Sequence, residues 1–288
     1  MSANSLPPTP VIKDWLENAS RQLSTAGIPS AHLDSEIILA YTLHKNRTYL
    51  HAHPEQIIDA QQCELANARL NLRLDRVPIA YIIGYKEFYG RQFAVTTSTL
   101  IPRPESEDII TILKEILPLR LRSGPSATPN PQLIDVGTGS GCLGITAKLE
   151  FPALDVTLTD ISRDALKVAE LNAKKLSADV AILHSDLLQE YALKPDIIIA
   201  NLPYVDQTWE RSPETNHEPA LALFTDNDGL SIIKKLIVQA NSSLTPDGYL
   251  IIEADPTQHR PLIEYAKKQS FEPVNQLGYA IAFKRKSN

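Results

Sequence analysis

A doubly wound α/β domain preceded by an all-helical portion is the fold class that this sequence predicts. Three observations carry that expectation. From Leu133 onward, short apolar runs alternate with helix-length amphipathic stretches, the pattern of strand–helix–strand units around a parallel sheet. Before Tyr85 there is no β-run and no glycine-rich loop, only apolar residues at helical spacing. Finally, two apolar runs end in unusual loops, Asp135-Val136-Gly137-Thr138-Gly139-Ser140-Gly141 and Asn201-Leu202-Pro203-Tyr204. In an open α/β sheet, ligands bind just beyond the carboxyl ends of the strands, so these loops mark neighbouring binding sites.

Composition sets the outer limits. A chain of 288 residues accommodates one large domain or two modest ones. The net charge of -6 argues against bare nucleic acid as the main partner. Cys63 and Cys142 are too far apart for metal-ligand spacing and too few for a disulfide framework, so both are expected as reduced, mostly buried thiols. No apolar run approaches the roughly 20 residues of a membrane span. Met1 to Pro8 is polar and proline-rich and lacks a signal-peptide core, so a cytoplasmic enzyme is expected; a monomer is expected by default, with no residue pattern behind it.

Taken in order, Thr9-Pro10 is expected to open a first helix, with Ile12, Trp15, Leu16, Ala19 and Leu23 on one face and Gly27 closing it. Ser30 starts a second, with Leu33, Ile37, Ala40 and Tyr41 as its apolar stripe. A short turn spans Arg47 to Leu50, punctuated by Pro54. Ile57 to Leu74 reads as a longer helix aligned on Cys63, Ala66 and Leu70, and Pro78 to Ile83 as one more turn stopped by Gly84. His44, His51 and His53 cluster without completing a metal set and read as surface residues. Glu87–Tyr89 and Gln92–Val95 then flank Gly90-Arg91 as a β-hairpin. Pro102 and Pro104 stiffen Leu100–Glu107 and delay the next helix to Glu105, from where it runs towards Leu121. Ser123 to Pro131 is a polar loop.

Beyond it, strands are expected at Leu133–Val136, Val156–Thr159, Val180–Leu183, Asp196–Ala200 and Tyr249–Glu253. Helices are expected at Cys142–Glu150, Ser162–Lys175, Gly229–Ser243 and Gln258–Gln269, and Phe271–Gln276 with Ala280–Lys284 closes the chain as an antiparallel pair.

The strand ends carry the chemistry. Gly137, Thr138, Gly139, Ser140 and Gly141 form a turn that lets a ligand approach the backbone, although the spacing departs from the dinucleotide G-x-G-x-x-G pattern. Asp160 ends the second strand some twenty residues on, where an acid can accept from both hydroxyls of a ribose. Asp186 ends the third, where a carboxylate can accept from an exocyclic adenine amine while Leu187 covers the ring. Three such signals in order on successive strands are far more specific than any one.

Asp135–Gly141, Asp160 and Asn201–Tyr204 together resemble the class I methyltransferases that use S-adenosylmethionine. With Phe88-Tyr89-Gly90, Leu100–Glu107, Glu218-Pro219-Ala220-Leu221 and Asp228-Gly229-Leu230, the chain resembles the release factor glutamine methyltransferases over nearly its whole length. The resemblance implies a Rossmann-like, seven-stranded methyltransferase domain over 105–288, a β-hairpin linker over 85–104, and an N-terminal helical-bundle domain over 1–84 that recognises the substrate. It also implies methyl transfer to the side-chain N5 of the Gln in the Gly-Gly-Gln motif of class 1 peptide chain release factors. One position departs: the family usually carries Asn-Pro-Pro-Tyr, and Leu202 replaces the first proline. Asn-Leu-Pro-Tyr is similar to the tetrapeptide of the rRNA adenine dimethyltransferases, which makes N6-adenine methylation of rRNA or DNA the competing reading. Those enzymes lack both the helical domain and the Ile-Pro-Arg-Pro-Glu segment.

The tetrapeptide suits a poorly nucleophilic amide. Asn201 can accept one N–H of the substrate through its side-chain oxygen, and the backbone carbonyl of Leu202 can accept the other. Two acceptors on one NH₂ orient the lone pair and favour charge developing on nitrogen. The carbonyl survives the change from Pro to Leu, and Pro203 keeps residue 202 extended. Tyr204 is expected to pack against the planar amide.

Overall fold

The computed structural model describes residues 10–122, 130–206, 208–225 and 229–286. The polar loop expected over 123–131, the N-cap at Thr9 and the motif residue Asp228 lie wholly or largely outside these residues. Contacts divide the chain into two units. One comprises the residues up to Gly84 together with Ser212–His217; the other comprises Tyr85–Arg211 and the chain from Glu218 onward.

The first unit contains α1 (Ile12–Thr25), α2 (Ala31–Leu43), α3 (Arg47–Ala52), α4 (Ala60–Leu74) and α5 (Ile79–Ile83). α1 buries Ile12, Trp15, Ala19 and Leu23, the face its periodicity predicts, and the Trp15 indole donates to Asn67 Oδ1 at 2.8 Å. Its N-cap is Val11, two residues later than expected, and Val11 bridges Ile57 in antiparallel fashion. Ile57 is therefore extended and cannot start α4, whose N-cap Asp59 accepts from the Gln62 N–H at 2.8 Å.

Of the stripe expected on α2, only Ala40 is buried. Leu33 is 42 % exposed, Ile37 and Tyr41 are only partly covered, and the buried face is Ile38 and Leu39 with the polar Asp34, Ser35 and Glu36. Partners from elsewhere make that burial tolerable. Arg73 Nε donates to Asp34 at 2.7 Å and Arg47 Nε to Glu36 at 2.7 Å. Arg73 also holds Glu214, from the Ser212–His217 segment, at 3.0 Å. The three histidines are exposed as expected, but His51 lies 2.9 Å from Glu36.

The second unit opens with the hairpin β1 (Tyr85–Phe88) and β2 (Arg91–Ala94). Its turn is Tyr89-Gly90, both at positive φ, one residue earlier than expected, because a two-residue hairpin turn of this hand needs left-handed backbone at both positions. Phe88 and Phe93 meet edge to face at 6.1 Å and belong to the core of this unit. A single 3₁₀ turn, Pro104–Ser106, precedes α6 (Glu107–Arg122), so the α-helix starts two residues later than the prolines suggested.

There follow β3 (Gln132–Val136), α7 (Cys142–Glu150), β4 (Asp155–Asp160), α8 (Arg163–Leu176), β5 (Ala181–His184), β6 (Ile197–Ala200), α9 (Ala220–Leu223), α10 (Ser231–Ser243), β7 (Tyr249–Glu253), α11 (Pro256–Lys268), β8 (Phe271–Leu277) and β9 (Ala280–Arg285). α11 begins two residues before the expected Gln258. Asp255 and Gln258 form a capping box there, and Pro256 takes the first helical position.

The seven strands are ordered β5-β4-β3-β6-β7-β9-β8, with β9 antiparallel to both its neighbours. Ile197 and Ile199 pack with α6, α7 and α8 on one face, while Ile198 and Ala200 pack with α10 and α11 on the other. Burial on both faces is why these strands read as continuous apolar runs.

Candidate active site

Strand register aligns the functional loops. Val136 pairs with Thr159 on one side and Ala200 on the other, Asp160 pairs with His184, and Ala200 pairs with Ile252. The residues that follow emerge side by side where the sheet order reverses between β3 and β6. One cavity there is lined by Gly137 through Ser140, Asp160, Asp186, Leu187 and Asn201 through Pro203. Gly141 and Tyr204 do not line it. Gly141 packs under the loop, where an added Cβ would sit 2.7 Å from Ile145 and 3.3 Å from Ala169.

The glycine loop is held from two sides. Asp135 Oδ2 accepts from the Thr138 hydroxyl at 2.6 Å and from the Gly144 N–H at 2.9 Å, tying the loop to the start of α7. Asp135 Oδ1 is buried and has no hydrogen-bond partner among the described residues. Burial, only partly offset by Thr138 and Gly144, pushes the Asp135 carboxyl up to about 6. Asp160 Oδ2 accepts from the Gly139 N–H at 2.9 Å and Oδ1 from the Ser162 N–H at 2.8 Å. Burial raises its pKa as well. Ser162, not Asp160, caps α8, accepting from the Ala165 N–H at 3.2 Å.

Gly137 has φ +71°, and an added Cβ would lie 2.7 Å from Leu202 Cδ2. The Leu202 side chain, 4 % exposed, thus fills the space that the glycine leaves. Asp186 Oδ2 is shared by Lys235 Nζ at 2.7 Å and Gln189 Nε2 at 2.9 Å, which leaves Oδ1. Leu187 is buried with φ 56°, while Ile161, 52 % exposed, adds an apolar wall that the sequence reading missed. Cys142 also lines the cavity, partly exposed rather than buried. Desolvation pushes its thiol up to about 12, so it carries no thiolate at neutral pH.

Asn201 meets groups from distant parts of the chain. Its Nδ2 donates to Ser106 Oγ at 2.9 Å, and Ser106 Oγ donates to Glu253 Oε2 at 2.6 Å. The other oxygen of Glu253 accepts from the Tyr204 hydroxyl at 2.9 Å. Tyr204 is half-buried against the core cluster of that sheet face, and its carbonyl accepts from Gln258 Nε2 at 2.9 Å. Gly229 must be glycine beside it, since an added Cβ would lie 2.1 Å from that carbonyl.

Burial raises the Glu253 pKa, and burial together with Glu253 raises that of Tyr204. Glu218 is buried too; it accepts from the Ile101 N–H at 3.1 Å and from Arg103 Nη2 at 2.5 Å. The proline-stiffened segment is thereby braced against the residues that open the Glu-Pro-Ala-Leu stretch. Sequence reading took that segment for a linker and passed over Ser106 and Glu253. A carboxylate closing the apolar run Tyr249–Glu253 was the available signal for Glu253.

Among the described residues no group of three or more His, Cys, Asp or Glu side chains could hold a metal ion, and no helix is long and apolar enough to cross a membrane. The sheet order, the glycine loop at its switch point and the acids on successive strand ends define a Rossmann-like methyltransferase.

Residues 14–84 match the PrmC N-terminal domain family and residues 120–218 the methyltransferase small domain family. A release factor glutamine methyltransferase of Koribacter versatilis is 36 % identical over 257 residues, covering 85 % of this chain and 88 % of its own. One of Coxiella burnetii is 35 % identical over 91 % of this chain and 92 % of its own. A methyltransferase structure from Pyrococcus furiosus superposes with a TM-score of 0.52 at 15 % identity, covering 77 % of this chain and 98 % of that one, a likeness of fold. The chain belongs to the release factor glutamine methyltransferase family.

Proposed function

We propose that this protein transfers a methyl group from S-adenosylmethionine to the side-chain N5 of the glutamine in the Gly-Gly-Gln motif of class 1 peptide chain release factors. The observation that carries this reading is the extent of the family likeness. It covers the helical unit as well as the α/β unit, and adenine methylation gives no account of that helical unit.

The residues present fit the cofactor. Asp160 and Asp186 are positioned by neutral donors and one lysine that leave carboxylate lone pairs for ribose hydroxyls and an adenine amine. Ile161 and Leu187 offer apolar surface for a ring, and Gly137 through Ser140 offer backbone at close range. When bound, the cofactor supplies an electrophilic methyl on a sulfonium. The protein's task is then to orient the nitrogen. Asn201 Oδ1 and the Leu202 carbonyl accept the two N–H bonds of the substrate amide. Pro203 keeps the loop extended, and Tyr204 anchors it through Glu253 and Gln258. The proton released after transfer passes to water.

Incubation with labelled S-adenosylmethionine, a purified release factor and ribosomal RNA tests the reading. Label is expected on the protein and not on a copy with Ala for the Gly-Gly-Gln glutamine. Label confined to the RNA would overturn it and favour the adenine chemistry that Asn-Leu-Pro-Tyr resembles.

A further inference from the structure

Ser106 and Glu253 lie 147 residues apart in sequence, yet they meet behind Asn201 in a chain of hydrogen bonds whose direction is fixed. As an anion, the form that its two hydroxyl donors favour against its burial, Glu253 can only accept. Glu253 therefore requires Ser106 to spend its single hydroxyl proton on Oε2, at 2.6 Å, and Tyr204 to spend its own on Oε1, at 2.9 Å. With its proton committed, Ser106 Oγ can only accept from Asn201. The Asn201 amide must then turn its NH₂ towards Ser106, at 2.9 Å. What remains for the cavity that Asn201 lines is Oδ1.

We infer that Ser106 and Glu253 are positioning residues that lock the Asn201 side-chain amide with its oxygen, rather than its nitrogen, available to substrate. The inference rests on the proposed transfer to an amide nitrogen. It adds to that reading the device that makes Asn201 an acceptor, and hence selective for a nucleophile that carries N–H bonds. An asparagine left to itself presents oxygen and nitrogen about equally well. Half of its orientations would then aim a donor at the substrate NH₂, where two sets of hydrogens repel. Ser106 and Glu253 are 2 % and 1 % exposed, so water does not compete for their bonds. Removing the Ser106 hydroxyl leaves Asn201 in place but frees its amide to flip.

The test compares Ser106→Ala, Ser106→Thr and Glu253→Gln with the parent. Steady-state transfer to a purified release factor is measured beside calorimetric binding of S-adenosylmethionine. Ser106→Ala is expected to lower kcat by roughly 10-fold to 100-fold, with cofactor affinity and KM changed by less than about threefold. Ser106→Thr keeps the hydroxyl and is expected to restore kcat to within about threefold. Glu253→Gln replaces one acceptor with a donor, so it can no longer accept from both Ser106 and Tyr204, and is expected to lower kcat as well. In an Asn201→Ala background, Ser106→Ala is expected to cost less than about twofold further, since it acts only through Asn201.

A parent that labels the release factor while Ser106→Ala turns over at the parental rate would overturn this inference alone. So would equal, independent losses in both backgrounds. Should Glu253→Gln fail to fold, the Ser106 series still decides. A parent that leaves the release factor unlabelled would instead overturn the proposed function, whatever the variants do.

Discussion

The helical unit and the strand ends of the candidate site treat their carboxylates in opposite ways. In the helical unit, Asp34, Glu36 and Glu214 are each held by arginine: Asp34 and Glu214 by Arg73, Glu36 by Arg47. At the strand ends of the α/β unit, Asp135, Asp160 and Glu253 stand among hydroxyls and backbone N–H groups, and none pairs with lysine or arginine among the described residues; Asp196 and Glu218, elsewhere in that unit, are held by Arg120 and Arg103. Their pKa values rise with burial. Glu214 goes the other way. Against its burial, the Ser212 hydroxyl, its own backbone N–H and Arg73 hold it down to about 2. An arginine saturates a carboxylate and locks a fold, whereas neutral donors position one and leave it able to accept. The costly arrangement sits where ligands are expected.

The largest effect expected from breaking that contrast is at Arg73. Arg73→Ala leaves buried Asp34 with the Ser30 hydroxyl alone and Glu214 with Arg76 and Ser212, and should cost about 3–5 kcal/mol, read from the denaturant midpoint. An unchanged midpoint would mean that the pairs contribute little. Close behind is Asn201→Ala, expected to lower kcat about 10²–10³-fold while S-adenosylmethionine affinity, measured by calorimetry, stays near the parental value. Normal turnover would remove Asn201 from the mechanism.

The carboxylates themselves give a test by pH. Folding raises the Asp135 pKa from 3.8 to about 6, so the folded state holds that proton more tightly than the unfolded chain. The resulting stabilisation is complete below about 3.8 and is lost as the pH rises through about 6. It is worth on the order of 3 kcal/mol. Asp135→Asn should flatten this slope in melts of the cofactor-free protein. Glu214 has the opposite sign: its stabilisation is present above its ordinary value of 4.5 and is lost as the pH falls through about 2. A protein whose Asp135→Asn variant kept the parental slope would contradict the assignment.

The smallest effect sharpens the part played by Leu202. Gly137→Ala forces a Cβ to 2.7 Å from Leu202 at positive φ and should cost about 1–2 kcal/mol. Shortening Leu202 to Ala in the same chain should recover part of that cost, whereas strict additivity would mean that the two side chains do not contend for one space.

How much of this could be read from the sequence follows the same division. The strands were legible to within about a residue, most plainly β3, β6 and β7, which are buried along their whole length. That the glycine loop, Asp160, Asp186 and Asn201 would meet at one cavity was legible because strand ends recur in a fixed order. The site residues that were missed depend on distant partners. Ser106 belongs to a proline-stiffened stretch that reads as a linker, and only the fold brings it to Glu253 and Asn201. The α2 stripe failed for a related reason: Asp34 and Glu36 count as polar in any periodicity, and only Arg73 and Arg47 make them core. Tyr204, expected to pack its ring against the substrate amide, donates its hydroxyl to Glu253 and does not line the cavity.

The most direct measurement is the chemical position of the methyl group. A release factor treated with this protein and S-adenosylmethionine would be fragmented and sequenced by mass spectrometry. The account predicts a single methyl on the side-chain nitrogen of the Gly-Gly-Gln glutamine, absent when Asn201→Ala replaces the parent. Methyl on another residue, or on adenine in RNA with the release factor unmodified, would contradict it.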